Sequence, residues 1–540
     1  MSVRPALLAS SLALALLLGA CSGLPTAPDD TAAGAEPVCR TLADGLDEAV
    51  LAARVGDAQQ ARVAGARWLR ADRFDASFAT EPLAGEALHV WLERLRSADA
   101  DARRVEVANL PPEVREALAA TLATRVLPST HRGVAGRADR DPVGHPKSDS
   151  GTDLPTHAIA AAVAHCGRAQ TASLALDADR LARIRSAVRV PDDYVDWQRA
   201  LGLYPLASLA FGAGVRREEA EMRAAFARQA GRVAEGATVF APPYPGAPVP
   251  AAVAAADDAS RRARGGFARD ALGVPMLDAT QRAALLAAHA PVYALAGSGR
   301  DDRFGRVLRD EREGTRIDTD RPTVYGRIAY TRWEGAVRVQ LVYTAWFPRR
   351  APAGPLDLLA GHLDGVLLRL TLDADGRIAM IDSIHACGCW HLFVPVGERR
   401  TLPAPVPGEE WAFVPARLGE VPVGARVRVR LAARTHAVEG IDTVEAAAHA
   451  DARYGLDDDD ALRTLPRAAG GTRSLFDPRG RVPGTERAER WLFWPMGIAD
   501  AGSMRQWGRH ATAFVGRRHF DDADLLERRF ERGAPARADE

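Results

Sequence analysis

Val324-Tyr325-Gly326-Arg327-Ile328-Ala329-Tyr330-Thr331-Arg332-Trp333, then Glu334-Gly335-Ala336, then Val337-Arg338-Val339-Gln340-Leu341-Val342-Tyr343-Thr344-Ala345-Trp346-Phe347 is the stretch that decides the fold class. Both runs are rich in β-branched and aromatic residues, which favour extended backbone, and the short glycine-containing break between them reads as a hairpin. A second hairpin is expected where residues 366–372 and 378–384 flank Asp373-Ala374-Asp375-Gly376. Residues 425–433 alternate arginine with valine or leucine, as a strand with one buried face does.

Upstream of Pro291 the period is helical. Leu42, Leu46 and Val50 recur at four-residue spacing, and Pro111-Pro112 precede Val114, Leu118 and Leu122 with proline placed where a helix starts. Further helices are expected near 157–168, 175–188, 216–235 and 279–288. Helices followed by strands, rather than alternating with them, give an α+β expectation. A helical domain then spans 38–290, a mainly antiparallel β-rich domain 291–445, and a mixed region 446–540 packs on the β domain. Residues 128–155, rich in Gly, Pro, Asp and Ser, are expected to form an exposed loop. In the mixed region Trp491-Leu492-Phe493-Trp494-Pro495 reads as a strand, 522–532 as an amphipathic helix, and the acidic run 457–460 as a solvated helix start rather than an ion-binding loop, since its spacing does not match an EF-hand.

At 540 residues the chain is long enough for two or three cores. Lys plus Arg and Asp plus Glu are both 70, so no net field draws it to nucleic acid, and no nucleic-acid partner is expected. Lys147 is the sole lysine, which removes a phosphate-binding P-loop, and the chain has no His-Glu-x-x-His, Gly-x-Ser-x-Gly or dinucleotide fingerprint.

The first twenty-one residues carry an address. Arg4 gives a basic start, residues 6–18 an apolar run too short to span a bilayer, and Leu18-Gly19-Ala20-Cys21 a small-residue cleavage site. This ending resembles the lipobox of bacterial lipoproteins. The resemblance implies removal of residues 1–20 as a signal peptide, fatty acylation of Cys21 and a membrane partner through that anchor. With Ser22 rather than Asp next, it implies the periplasmic face of the outer membrane. Residues 21–37 are small, polar and proline-containing, a tether that reaches roughly 50 Å when extended.

Setting Cys21 aside, Cys39, Cys166, Cys387 and Cys389 remain, an even number that an oxidising compartment tends to pair. Cys39 and Cys166 both fall in the helical region, so a bridge between them is expected. Cys387 and Cys389 lie in Asp382-Ser383-Ile384-His385-Ala386-Cys387-Gly388-Cys389-Trp390-His391, the densest set of potential ligands in the chain. Three readings stay open there. The cysteines form a tight disulfide or buried thiols in a turn. Alternatively His385, Cys387, Cys389 and His391 hold zinc or copper, with His362, His436 or His449 as distant contributors. Or the pair is a redox-active dithiol. On a straight strand residues 385 and 391 stand about 20 Å apart, so one ion can gather them only if Gly388 bends the chain.

Supporting chemistry is expected from Asp382 and from Gly361-His362-Leu363-Asp364-Gly365, where a histidine and a carboxylate flank a strand entrance suited to acid-base work. Tyr194, Trp197 and Leu203-Tyr204-Pro205-Leu206 read either as core or as a ligand groove. Arg505, Trp507, Arg509, His510, Arg517, Arg518 and His519 read either as a lipid-headgroup surface or as internal ion pairs.

The Asp382 to His391 string, together with Trp346-Phe347-Pro348, Gly361 to Gly365, Phe493-Trp494-Pro495-Met496-Gly497 and Arg517-Arg518-His519-Phe520-Asp521-Asp522, resembles a family of uncharacterised exported proteobacterial proteins over the C-terminal half. That pattern often has Pro and Tyr where this chain has Ala386 and Trp390. The resemblance implies a discrete exported family and no mechanism. The function expected from the sequence is a lipid-anchored envelope protein with a binding or structural role in the periplasm. The alternative is a metal-dependent (zinc or copper) envelope hydrolase built on the His-Cys-Gly-Cys-His segment.

Overall fold

The computed structural model describes residues 37–126, 154–228, 231–243, 267–297, 299–310, 314–445 and 448–533. The expected signal peptide, Cys21, the tether up to residue 36 and nearly all of the expected loop 128–155 lie outside them.

The 324–347 stretch folds as two paired strands, β1 (Thr323–Trp333) and β2 (Ala336–Arg350), with Val324 opposite Ala345 and Trp333 opposite Ala336. Glu334 and Gly335 alone make the turn, both with left-handed backbone (φ 53° and 67°), the geometry that carries strand twist through a two-residue loop. β3 (Gly361–Leu372), β4 (Ile378–His385) and β5 (Leu392–Pro395) extend the sheet antiparallel, and β6 (Gly455–Asp458) adds a parallel strand beside β1, giving the order β5-β4-β3-β2-β1-β6. A second, five-stranded sheet runs Val438–Glu445, Ala425–Leu431, Val292–Leu295, Thr238–Ala241, Ala452–Arg453.

The class is α+β, with helices mainly before the strands. The large sheet is a middle layer with both faces covered. Leu341, Tyr343, Phe347, Val366 and Leu370 pack towards the smaller sheet, whereas Val342, Trp346, Leu367 and Ile384 pack against Leu462, Leu475, Met504 and Phe520 from the C-terminal region. Polar residues on this second face therefore end up buried and pair internally, as Arg369 does with Asp382.

The helical part contains α1 (Pro37–Ala53), α2 (Gly85–Ala108), Pro112–Val126, α3 (Leu154–Leu176), Ala178–Ala187, α4 (Asp196–Leu201) and α5 (Tyr204–Arg228). A disulfide between Cys39 and Cys166 joins α1 to α3, with Cα atoms 5.5 Å apart. The boundary expected at 290 is crossed by tertiary structure. Thr238–Ala241 lies within the helical span yet pairs into the smaller sheet, and Met222 and Phe226 of α5 join its core. Arg463, buried in the C-terminal region, pairs with Asp57 at 2.8 Å and Asp101 at 2.6 Å, and Arg73 pairs with Asp521 at 3.1 Å. The mixed C-terminal region thus packs on the helices as well as on the β-rich part.

Two expected elements differ. The 491–495 run forms α6 (Glu489–Leu492) and a short helical turn, Trp494–Met496, rather than a strand, because Pro495 sits at a helix start and Gly497 stops the turn with φ 69°. The 522–532 segment is a series of turns ending in Phe530–Arg532, which pairs with Arg399–Thr401. Strand pairing with this distant segment overrides the local helical period. The 457–460 run does start a helical turn, with the Asp458 side chain accepting from the Asp460 amide; Asp458 is exposed, while Arg327 pairs with Asp459 at 2.8 Å and Asp460 at 3.4 Å.

Candidate functional site

β4 and β5 are joined by the His385 to His391 segment, and the turn is enforced at Gly388. Its φ is +93°, and a Cβ there would stand 2.3 Å from the Ala511 carbonyl oxygen, so only glycine fits. The turn closes with Gly388 N–H donating to His385 O (2.8 Å) and His385 N–H donating to Cys389 O (2.9 Å). Arg505 braces it from outside, donating its backbone N–H to Ala386 O and its Nε to Cys387 O.

The bend brings the four candidate ligands near one another, yet two carboxylates pull the histidines apart. His391 Nε2 lies 3.0 Å from Asp382 Oδ2, its Nδ1 meets Thr512 Oγ1 at 3.2 Å, and Asp382 is also held by Arg369. Burial lowers the His391 pKa to about 3, so it is a neutral, fully satisfied structural imidazole. His385 turns the other way, its Nδ1 3.5 Å from Asp364 Oδ1. Among the described residues no group of three or more His, Cys, Asp or Glu side chains is arranged to hold a metal ion, so the expected zinc or copper quartet is not assembled. Cys387 and Cys389 are free thiols, Cys387 buried and Cys389 half-buried. The neighbouring Cys387 thiol, burial and Glu489 push the Cys389 thiol well above its ordinary range. A thiol so disfavoured as thiolate is a poor nucleophile and a poor attacking dithiol.

Asp364 is the hub of the second cluster. Its carboxylate takes His436 Nδ1 at 2.8 Å, the Gly365 amide at 3.0 Å and Arg487 Nη2 at 3.5 Å. Burial opposes its ionisation, but His385, His436 and Arg487 hold it well below the usual carboxylate range. A β-bulge places it there. His362 and Leu363 both oppose Arg349, and Leu363 has φ 52°, so His362 faces solvent while Asp364 points inward. His436 is stacked on Phe347, ring centroids 3.9 Å apart.

His385 is buried (3% exposed), and burial holds its imidazole below the ordinary histidine range despite Asp364. With Nδ1–H turned to Asp364, Nε2 is an acceptor, and it has no hydrogen-bond partner among the described residues. His385 lines a cavity of about 610 Å³ whose floor is the Cys387 to His391 turn and whose wall is α5. Phe211, Val215, Glu218 and Met222 present one stripe of that helix to it at 3.6-residue periodicity. Opposite them are Phe413, Phe493 and Phe514.

Further charged groups line the cavity, among them Glu219, Glu410, Glu489 and Arg350. Glu489, at the start of α6, is 3% exposed, and burial raises its pKa to about 7 against the pull of Arg487 and Arg350. Its carboxylate occupies the space left by Gly502, where a Cβ would meet Oε1 at 2.0 Å. Arg350, at the end of β2, lies 4.9 Å over the Trp390 ring and makes no ion pair within 4 Å among the described residues.

The remaining expected residues lie elsewhere. His449 is exposed beside Asp451. Tyr194 is core, its hydroxyl donating to Ala513 O at 2.8 Å, whereas Trp197, Leu203 and Leu206 are exposed. The basic C-terminal stretch pairs internally: Arg509 with Asp193, Arg518 with Glu410, and Arg517 and His519 with Asp192. Glu489, Arg350, Arg487 and the α5 stripe are not evident from the sequence. Only the stripe carries a readable signal, the apolar spacing 211, 215, 222. Comparison with protein-family models, curated proteins and solved structures finds no match for this chain.

Proposed function

We propose that this is a lipid-anchored envelope protein, held at Cys21 on the periplasmic face of the outer membrane, whose role is to bind a small amphipathic molecule in the cavity beside Cys387 and Cys389. The lipobox supports the address. One observation carries the binding role: a 610 Å³ cavity, within the size range of small-molecule sites, joins an apolar wall to a few convergent polar groups. Those groups are complementary in kind. His385 Nε2 accepts a hydrogen bond, Glu489 is partly protonated near neutrality and donates one, and Arg350 offers a guanidinium for an anionic head.

A binding role is favoured over catalysis because the Cys389 thiol is held un-ionised and no nucleophile stands hydrogen-bonded to His385 Nε2 among the described residues. The test is calorimetric titration of the full chain with medium-chain amphiphiles bearing carboxylate, phosphate or neutral heads. One-to-one binding is expected, lost in Val215→Arg, which fills the cavity, and weakened about tenfold by Arg350→Gln for anionic heads. If none of the three head classes binds, or if Val215→Arg binds as well as the parent, the proposal fails.

A further inference from the structure

The mouth of the cavity opens beside an apolar ridge. Leu492 lines the cavity and is also 53% exposed, which marks the rim. The helices packed together there, α4, α5, α6 and the Trp494–Met496 turn, and the α4–α5 corner carry Trp197, Leu201, Leu203, Leu206, Leu209 and Trp491, each 58–71% exposed. Together with Leu492 these are seven of the fifteen large exposed apolar side chains among the described residues, and they include both exposed tryptophans. Single exposed leucines are ordinary; a cluster on this scale marks an interaction surface.

Packing holds the ridge together. Trp197 of α4 meets Trp494 with ring centroids 5.7 Å apart, Phe211 of α5 meets Phe493 at 5.6 Å, and Gly202 lets the α4–α5 corner approach Pro495, whose Cα would stand 2.6 Å from a Cβ at that position. Leu206 and Leu209 face out of α5 while Phe211, Val215 and Met222 face the cavity, so one helix serves both surfaces.

We propose that this ridge docks on a lipid bilayer and that the cavity behind it takes its ligand, an acyl-chain amphiphile, from that bilayer. The proposal rests on the binding reading of the cavity. Three observations favour a bilayer over a protein partner. Exposed Trp and Leu on adjoining helices are the composition of an interfacial surface, and Arg490 stacks over Trp491 at 5.0 Å, a cation beside an aromatic side chain that suits lipid headgroups. The first described residue, Pro37, follows Cys21 by about sixteen residues, a tether of roughly 50 Å that keeps any face of the molecule within reach of the anchoring membrane. Finally, Leu492 belongs both to the exposed apolar set and to the cavity lining, where Phe493 and Phe211 meet, so the ridge adjoins the cavity at an apolar edge.

The experiment uses the chain from Ser22 onward, which keeps every described residue and cannot be acylated at Cys21. Two readouts are taken: co-sedimentation with phosphatidylethanolamine–phosphatidylglycerol vesicles, and binding of a fluorescent medium-chain fatty acid in solution without vesicles. The parent is expected to partition onto vesicles and to bind the fatty acid. A Leu206→Asp, Leu209→Asp double variant should partition about a hundredfold more weakly and keep fatty-acid binding, while Val215→Arg should do the reverse. Trp491→Ser provides a second ridge variant on a different element should the double variant fail to fold.

Fatty-acid binding without vesicle partition in the parent overturns the docking surface and leaves the cavity reading standing. The docking surface is likewise overturned if the ridge variants partition like the parent, or if the parent is a dimer that they dissociate, which would make a second copy the occupant. Vesicle partition without fatty-acid binding overturns the acyl-chain ligand, and the cavity reading falls with it only if the phosphate and neutral heads also fail to bind.

Discussion

The molecule holds two cysteine pairs with opposite fates. Cys39 and Cys166, 127 residues apart, meet with Cα atoms 5.5 Å apart and form a disulfide that ties α1 to α3. Cys387 and Cys389, separated by one glycine, stay thiols at the floor of a cavity. The distant pair is brought together by helix packing around Leu42, Leu46, Ile159 and Val163, whereas the near pair is set by a turn whose geometry is fixed by Gly388 and its contact with Ala511. Proximity in sequence therefore says little about bonding. The surface that a cysteine helps to build decides whether it is a staple or part of a site.

The largest expected effect lies on the staple. Replacing Cys39 and Cys166 by alanine should cost about 5 kcal/mol in chemical denaturation, the value for a loop of this length, and should loosen α1 first. An unchanged unfolding midpoint would show that helix packing alone holds the pair. At the second pair, removing either sulfur should matter less than altering the turn. Gly388→Ala places a methyl against the Ala511 carbonyl at a backbone angle alanine resists, at a cost of about 3 kcal/mol, and fatty-acid or other amphiphile binding should fall with it. If Gly388→Ala is neutral in thermal unfolding, the turn is not the constraint described.

Glu489, which raises the Cys389 pKa, gives a pH test of the same pair. Its folded-state pKa is about 7, above the ordinary 4.5. Below about pH 4.5 both folded and unfolded states carry the proton and burial costs nothing extra. As pH rises from 4.5 to 7 the unfolded chain ionises while the folded one resists, so stability is lost across that window and stays lost above it. Glu489→Gln should therefore match the parent below about pH 4.5 and exceed it by about 2 kcal/mol near pH 8. Equal unfolding midpoints for the two proteins at both pH values would refute the burial argument. The smallest expected effect is kinetic. Alkylation of Cys389 near pH 8 should run more than about tenfold slower than for an ordinary free cysteine and recover on unfolding, while Cys39 and Cys166 give no reaction without reductant. Fast labelling of Cys389 in the folded chain would mean that its thiolate is available and would reopen redox chemistry.

Parts of this are legible in the residues. The 324–347 hairpin announces itself through β-branched and aromatic runs around a Glu-Gly turn, and the Cys39–Cys166 bridge follows from the count of cysteines and their shared helical setting. The helical wall α2, Gly85–Ala108, does not stand out, because Asp99, Arg103 and Glu106 are charged residues buried by pairing with Arg70 and with one another, so its inward face does not read as apolar. The 491–495 run misleads because aromatic density is the same in a strand and in a helical turn. Only Pro495 and Gly497 tell them apart.

For the site, the sequence determined its chemistry-bearing string, His385 to His391, and the glycine on which it turns, because residue types and a forced bend are local properties. Tertiary structure decided everything about how that string is used. Asp364 arrives from a bulged strand and takes His385, Asp382 takes His391, and Glu489 and Arg350 come from segments far along the chain on either side. Hydrogen bonding and burial set which imidazole is satisfied, which nitrogen is left open and which thiol stays protonated. Those depend on the distance between groups in space, which separation along the chain does not fix.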